Sequence, residues 1–101
     1  MTDSFANRRY LVTGAASGIG FAVARLLHAR GARLVLWDMN AARLEEVGSE
    51  LSTHVAPVDV TDASHIQESM QRAVEHLRTL DGVVRCAGIL NAGLFDEMSL
   101  D

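Results

Sequence analysis

The sequence predicts an α/β fold built on a doubly wound parallel sheet with strand order 3-2-1-4. Three observations predict it. Short apolar runs alternate with stretches of helical periodicity in the order β-α-β-α-β-α-β, the pattern of parallel strands joined by right-handed crossovers. A turn with glycines at 14, 18 and 20 joins the first strand to the first helix. An acid, Asp38, ends the second strand. With 101 residues the chain has room for one such unit, 1–101, and not for two.

The elements follow in order. Tyr10-Leu11-Val12-Thr13 is a short apolar run that stops at Gly14, as for a strand buried on both faces. From Ile19 the period changes. Ile19, Val23, Leu26 and Leu27 fall at i, i+4, i+7 and i+8, one face of a helix. Gly31 suits the left-handed position that stops it. Leu34-Val35-Leu36-Trp37 is a second buried strand, and 41–49 a helix with Leu44 and Val47 inward. Residues 55–60 read as a third strand, with Pro57 marking it as imperfect or at an edge. Thr61 and Asp62 offer a cap to an amphipathic helix. Its inner face is Ile66, Met70, Ala73, Val74 and Leu77, and Gln67, Glu68, Gln71, Arg72 and Glu75 face water. Residues 82–86 are a fourth strand, and 89–101 a loop entering another element.

Composition narrows the function classes. The chain is 49% hydrophobic, with 9 basic and 13 acidic side chains and a net charge of −4. That balance excludes a nucleic-acid binder, which needs clustered cations to neutralise phosphates. All nine basic residues are arginine; there is no lysine. The single cysteine, Cys86, forms no internal disulfide, and nothing points to an oxidising compartment. The apolar runs fall far short of the roughly 20 residues that span a bilayer. Residues 1–9 are polar, without the apolar core of a secretory leader. A cytoplasmic protein without membrane contact is expected.

The glycine turn reads T-G-A-A-S-G-I-G from Thr13 to Gly20. Its spacing is G-x-x-x-G-x-G rather than the G-x-G-x-x-G of the general dinucleotide fingerprint, but the physics is shared. Glycine permits the sharp turn and lets a pyrophosphate approach without meeting a Cβ atom. The helix beginning near Gly18 points unpaired N–H groups and its positive dipole end at the phosphates. The plainer reading is that three glycines only shape a strand-to-helix turn. Asp38, 18 positions after Gly20, shifts the balance, because the fold places there an acid that accepts hydrogen bonds from both adenosine-ribose hydroxyls. A carboxylate repels a 2′-phosphate, and the neighbours Trp37, Met39, Asn40 and Ser17 supply no cation. NAD is therefore favoured over NADP. The plainer reading of Asp38 is a cap for the next helix. A P-loop hydrolase is excluded, since its motif needs a lysine.

These residues resemble a known family. T-G-A-A-S-G-I-G at Thr13 to Gly20, Asp38, Val58-Asp59-Val60 and Cys86-Ala87-Gly88 look like the N-terminal, cofactor-binding half of a short-chain dehydrogenase/reductase, with its Rossmann-like fold. The resemblance covers roughly 9–100. It implies that Thr13, Gly14, Ser17, Gly18, Ile19 and Gly20 form the cofactor turn, with Ile19 packed beside the cofactor, and that Asp38 selects NAD. Asp59 would bond the adenine amino group with Val60 beside the ring. Cys86, Ala87 and Gly88 would border the nicotinamide-side ribose, the last two by backbone. The family usually writes N-N-A-G where Arg85-Cys86-Ala87-Gly88 stands. Arg85 has donors but no acceptor, so it cannot reproduce the strand-tying role of the first Asn; Cys86 is a common replacement.

Family members run to more than twice this length. Their catalytic Asn, Ser and Tyr-x-x-x-Lys would fall beyond Asp101, so no catalytic residue is assigned and the 101 residues alone are expected to be inactive. Val58 to Ala63, Leu80-Asp81-Gly82 and Ala87-Gly88-Ile89-Leu90 are similar to dehydrogenases of 2,3-dihydro-2,3-dihydroxybenzoate; the same words occur in 3-oxoacyl carrier-protein reductases and hydroxysteroid dehydrogenases. The implied activity is hydride transfer between NAD and an alcohol/ketone or dihydrodiol substrate, in a protein that forms a homodimer or homotetramer. The alternative is a non-catalytic or truncated nucleotide-binding module. No metal site is expected. Of the four histidines, His28, His54, His65 and His76, His65 and His76 lie eleven apart on one helix, too far to share an ion, and solvent-exposed histidines are the expected reading. Asp96-Glu97 reads as a solvated helix entry.

Overall fold

The computed structural model describes residues 5–86. The elements are β1 (Arg9–Thr13), α1 (Gly18–Ala29), β2 (Arg33–Asp38), α2 (Ala41–Leu51), β3 (His54–Pro57), α3 (Ala63–Leu77) and β4 (Gly82–Arg85). The strands form one parallel sheet in the order β3-β2-β1-β4, the topology expected. Thr13 stands between Trp37 and Arg85 in the register, so the three strand ends lie level.

Alternation along the central strands builds two cores. Val12, Leu34 and Leu36 pack with Ala24, Leu27, Leu44, Val47 and Leu51 of α1 and α2. Leu11, Val35 and Trp37 pack on the other face with Ile66, Met70, Ala73 and Leu77 of α3. Successive strand residues point to opposite faces, and both faces are covered, so the strands read as unbroken apolar runs. Each fully buried Leu contributes about 1.5–3 kcal/mol relative to exposure.

Four expectations are corrected. The inner stripe of α1 is not Ile19, Val23, Leu26 and Leu27: Ile19 is 76% and Leu26 55% exposed. The buried residues are Gly20, Ala24 and Leu27. The same i, i+4, i+7 spacing is kept, but it runs through small residues that let the helix lie close to the sheet. The third strand is four residues ending at Pro57, not 55–60. Pro57 has no N–H to continue a ladder; Val58 still donates to the Asp38 carbonyl at 3.1 Å, and Asp59 then begins a turn. As expected of a proline-bearing strand, β3 is the outer member of the described sheet. Helix α2 runs two residues past the expected end, to Leu51, where Ser52 turns left-handed at φ 51°. Cys86 lies just past β4, although its N–H still donates to the Thr13 carbonyl at 3.0 Å.

Candidate functional site

The strand ends level with Thr13 lead into the glycine turn, and its three glycines have different physical reasons. Gly14 has φ 68°, the left-handed region that glycine enters without penalty. At Gly20 a Cβ would collide with the Gly14 carbonyl, so this glycine seats α1 against the turn. At Gly18 a Cβ would meet nothing within 4 Å. Its surface is open to whatever approaches the start of the helix. One glycine for the turn, one for ligand approach and one for helix packing is the division of roles in a dinucleotide-binding turn.

The start of α1 is left available. Helices α2 and α3 are capped by side chains: Asn40 accepts from the Arg43 N–H and Asp62 from the His65 N–H, each at 3.1 Å. Ser17 at the head of α1 makes no side-chain cap. Its hydroxyl instead donates to the Gly14 carbonyl at 2.7 Å. No acid stands in the first turn of α1, so the positive end of this helix is not neutralised by its own side chains.

Asp38 is fixed beside this turn. Its Oδ2 accepts from the Ala16 N–H and its Oδ1 from the Asn40 N–H, both at 2.9 Å. The cap of α2 is Asn40, so Asp38 is not the cap that the plainer reading made it. An ionised carboxylate has about four acceptor positions, and these two bonds leave roughly half of them for a ligand. Ile19 and Met39, 76% and 65% exposed, place apolar surface next to the turn and next to Asp38.

Solved structures share this fold at high overall similarity. A short-chain dehydrogenase/reductase from Mycobacterium ulcerans superposes with a TM-score of 0.80 at 34% identity, over 85% of this chain and 34% of that one. A Burkholderia phymatum short-chain dehydrogenase/reductase solved in complex with NAD gives 0.74 at 26% identity, over 82% and 31%. An uncharacterized oxidoreductase of Staphylococcus aureus is 38% identical over 104 residues, 100% of this chain and 43% of the relative. The family model described as enoyl-(acyl carrier protein) reductase matches residues 14–101. The chain belongs to the short-chain dehydrogenase/reductase family. It spans less than half the length of the curated relatives it matches.

The remaining candidate residues of this short-chain dehydrogenase/reductase occupy varied settings. Asp59 is held in a local turn: its Oδ1 accepts from the Thr61 N–H at 2.9 Å and the Thr61 hydroxyl at 2.6 Å. The hydroxyl bond first, then the backbone bond, holds its carboxyl below the usual carboxylate range. Oδ2 has no hydrogen-bond partner among the described residues. Val60 is half-buried against the α3-side core. Thr13 is fully buried, and its hydroxyl has no hydrogen-bond partner among the described residues; the same holds for the Trp37 indole N–H. Cys86 is half-buried against the α1 and α2 side, and burial pushes its thiol pKa up, which is not the setting of a reactive thiol. Ala87 and Gly88 lie outside the described residues, as do Asp96 and Glu97.

Sequence reasoning missed five contacts. The Ala16 to Asp38 bond joins residues 22 apart, and no local pattern announces it. Arg43 lies over the Phe21 ring at 5.2 Å from its centroid and pairs with Glu46 at 2.9 Å. A cation thus stands at the start of α2, already engaged by its own neighbours. His76 finds a partner not in His65 but in His54, its ring stacked at 4.4 Å. His65 instead approaches the Asp59 N–H with Nδ1 at 3.4 Å. Among the described residues no three metal-ligating side chains converge, and no helix is long and apolar enough to cross a membrane.

Proposed function

We propose that this chain is the NAD-binding part of an oxidoreductase that transfers hydride between NAD and an alcohol/ketone or dihydrodiol substrate. The observation that carries the reading is the Asp38 carboxylate, fixed by the Ala16 and Asn40 N–H groups with acceptor positions to spare. In this reading Asp38 accepts from the adenosine-ribose hydroxyls and excludes a 2′-phosphate. The open surface at Gly18 admits the pyrophosphate to the uncapped N–H groups of α1. Asp59 offers its Oδ2 to the adenine amino group, with Val60 and Ile19 supplying apolar contact. When bound, the nicotinamide supplies the hydride acceptor or donor, and the protein's part is to hold and orient it.

A tyrosine–lysine acid/base pair cannot be drawn from residues 1–101. The chain contains no lysine, and its one tyrosine, Tyr10, lies half-buried against Gly82 and edge-on to Phe5. The similarity of 58–63, 80–82 and 87–90 to dihydrodiol dehydrogenases makes 2,3-dihydro-2,3-dihydroxybenzoate the first substrate to assay. A homo-oligomer in the cytoplasm is the setting we propose, in keeping with a lone cysteine. The second reading is a nucleotide-binding module without chemistry. Titration calorimetry with NAD on this chain, and an assay for NAD reduction on the dihydrodiol by the whole protein that carries it, separate the two. Saturable NAD binding with turnover supports the oxidoreductase, binding without turnover supports the module, and no binding overturns both.

A further inference from the structure

A second cluster lies at the edge of the sheet. His54 opens β3 and His76 is the penultimate residue of α3; their rings stack with centroids 4.4 Å apart and planes 23° apart. Beside them opens a cleft of about 470 Å³, lined by Glu45, Ser49 and Ser52 and by Thr53 with the two imidazoles. Two nearly parallel, stacked rings keep their lone pairs in separate planes and do not converge on one ion, and no third ligand joins them among the described residues. The stack is therefore a ring-to-ring contact, not a chelate.

It also joins two elements that little else ties at that point. β3 has four residues, pairs with β2 alone among the described strands, and begins at the His54 to Val35 rung. α3 lies on the face of the sheet to which Val35 points. The stack thus pins the first residue of an outer strand to the last turn of the helix covering that face. Two neutral imidazoles stack favourably, whereas two imidazolium ions repel at this range. We propose that the His54–His76 stack is a pH-operated latch, holding the start of β3 to the end of α3 when the rings are neutral and releasing the strand when both are protonated.

The charges around the pair fit this use. Burial first, then the neighbouring His76, lowers the His54 pKa from 6.5. Glu45 on α2 lines the same cleft. Arg33 opens β2 two residues before Val35, and Arg72 precedes His76 by one turn of α3. A charge on either ring opposes a charge on the other. The latch rests on the fold alone and not on the cofactor reading.

The test is a histidine ring titration by NMR on the chain and on His54→Gln and His76→Gln, with amide exchange of β3 and β1 followed on the same samples. Both side chains are exposed, so neither replacement empties the core, and the β1 amides report whether the fold survives. His54 should titrate below 6.5 in the parent and rise toward that value in His76→Gln. Between about pH 8 and about pH 5 the protection of Val55 and Ala56 should fall at least severalfold more than that of Leu11 and Val12. Both variants should lose that excess. If the two rings titrate independently at ordinary values, or if β1 and β3 lose protection together in the parent, the latch is wrong. Should a variant fail to fold, the parent's own comparison of β3 with β1 still decides.

Discussion

At the residue scale, the site depends on groups whose partners are either complete or conspicuously incomplete. Asp38 keeps two bonds and spare acceptor capacity. Thr13 is fully buried with an unpartnered hydroxyl. Leaving a buried polar group unsatisfied costs about 1–3 kcal/mol, so Thr13→Val, which keeps the shape and removes the hydroxyl, should stabilise the fold by about 1 kcal/mol. Urea melts check this, and NAD affinity should not move, because the hydroxyl lies on the α3 side under Trp37's register and not on the open surface of the turn. Little of this was readable from the chain. The composition shows a threonine before a glycine; only packing decides which face its side chain takes.

At the scale of elements, the three helices divide by how they begin. α2 and α3 carry Asn40 and Asp62 as caps, while α1 begins at Ser17 with its first N–H groups free of side-chain partners. Two alanine substitutions in the same turn should therefore behave in opposite ways. Gly20→Ala drives a Cβ into the Gly14 carbonyl and should destabilise the fold by about 3 kcal/mol or more, at the upper end of overpacking costs. Gly18→Ala enters open space. It should leave the melting midpoint nearly unchanged while weakening dinucleotide binding, as calorimetry would record. Equal effects of both on stability would contradict the assignment of roles. The glycine spacing was legible in the sequence, as was the cap at Asp62. The true inner stripe of α1 was not, because Gly20 and Ala24 carry too little hydrophobic signal to outweigh Ile19 and Leu26.

At the scale of the whole molecule, the sheet order and the two-sided burial followed from alternating apolar runs and helical periods. These signals are local, so they survive in a sequence. What did not survive is contact between distant residues: His54 with His76, Ala16 with Asp38, Arg43 with Phe21. The third strand shows the limit within one element. Val58 and Val60 look like a strand continuing, but Pro57 and the Asp59–Thr61 turn end it. The His54 setting also gives global stability a pH dependence. Its folded-state pKa lies below 6.5, so the unfolded chain takes up a proton first as pH falls. Stability from this group is complete above the unfolded value and is lost as pH drops from about 6.5 through the lowered folded value. Urea midpoints taken across that window should decline, and His54→Gln should flatten the decline.

The central claim, that Asp38 reads the ribose and selects NAD, is tested most directly by the ratio of NAD to NADP dissociation constants in the parent and in Asp38→Ala. Charge-assisted hydrogen bonds contribute about 1.5–3 kcal/mol each, and each 1.4 kcal/mol is about tenfold in affinity. The parent should bind NAD at least roughly tenfold more tightly than NADP, and the variant should lose most of that preference mainly by weaker NAD binding. Equal affinities for the two dinucleotides in the parent, or a preference that persists without the carboxylate, would contradict it.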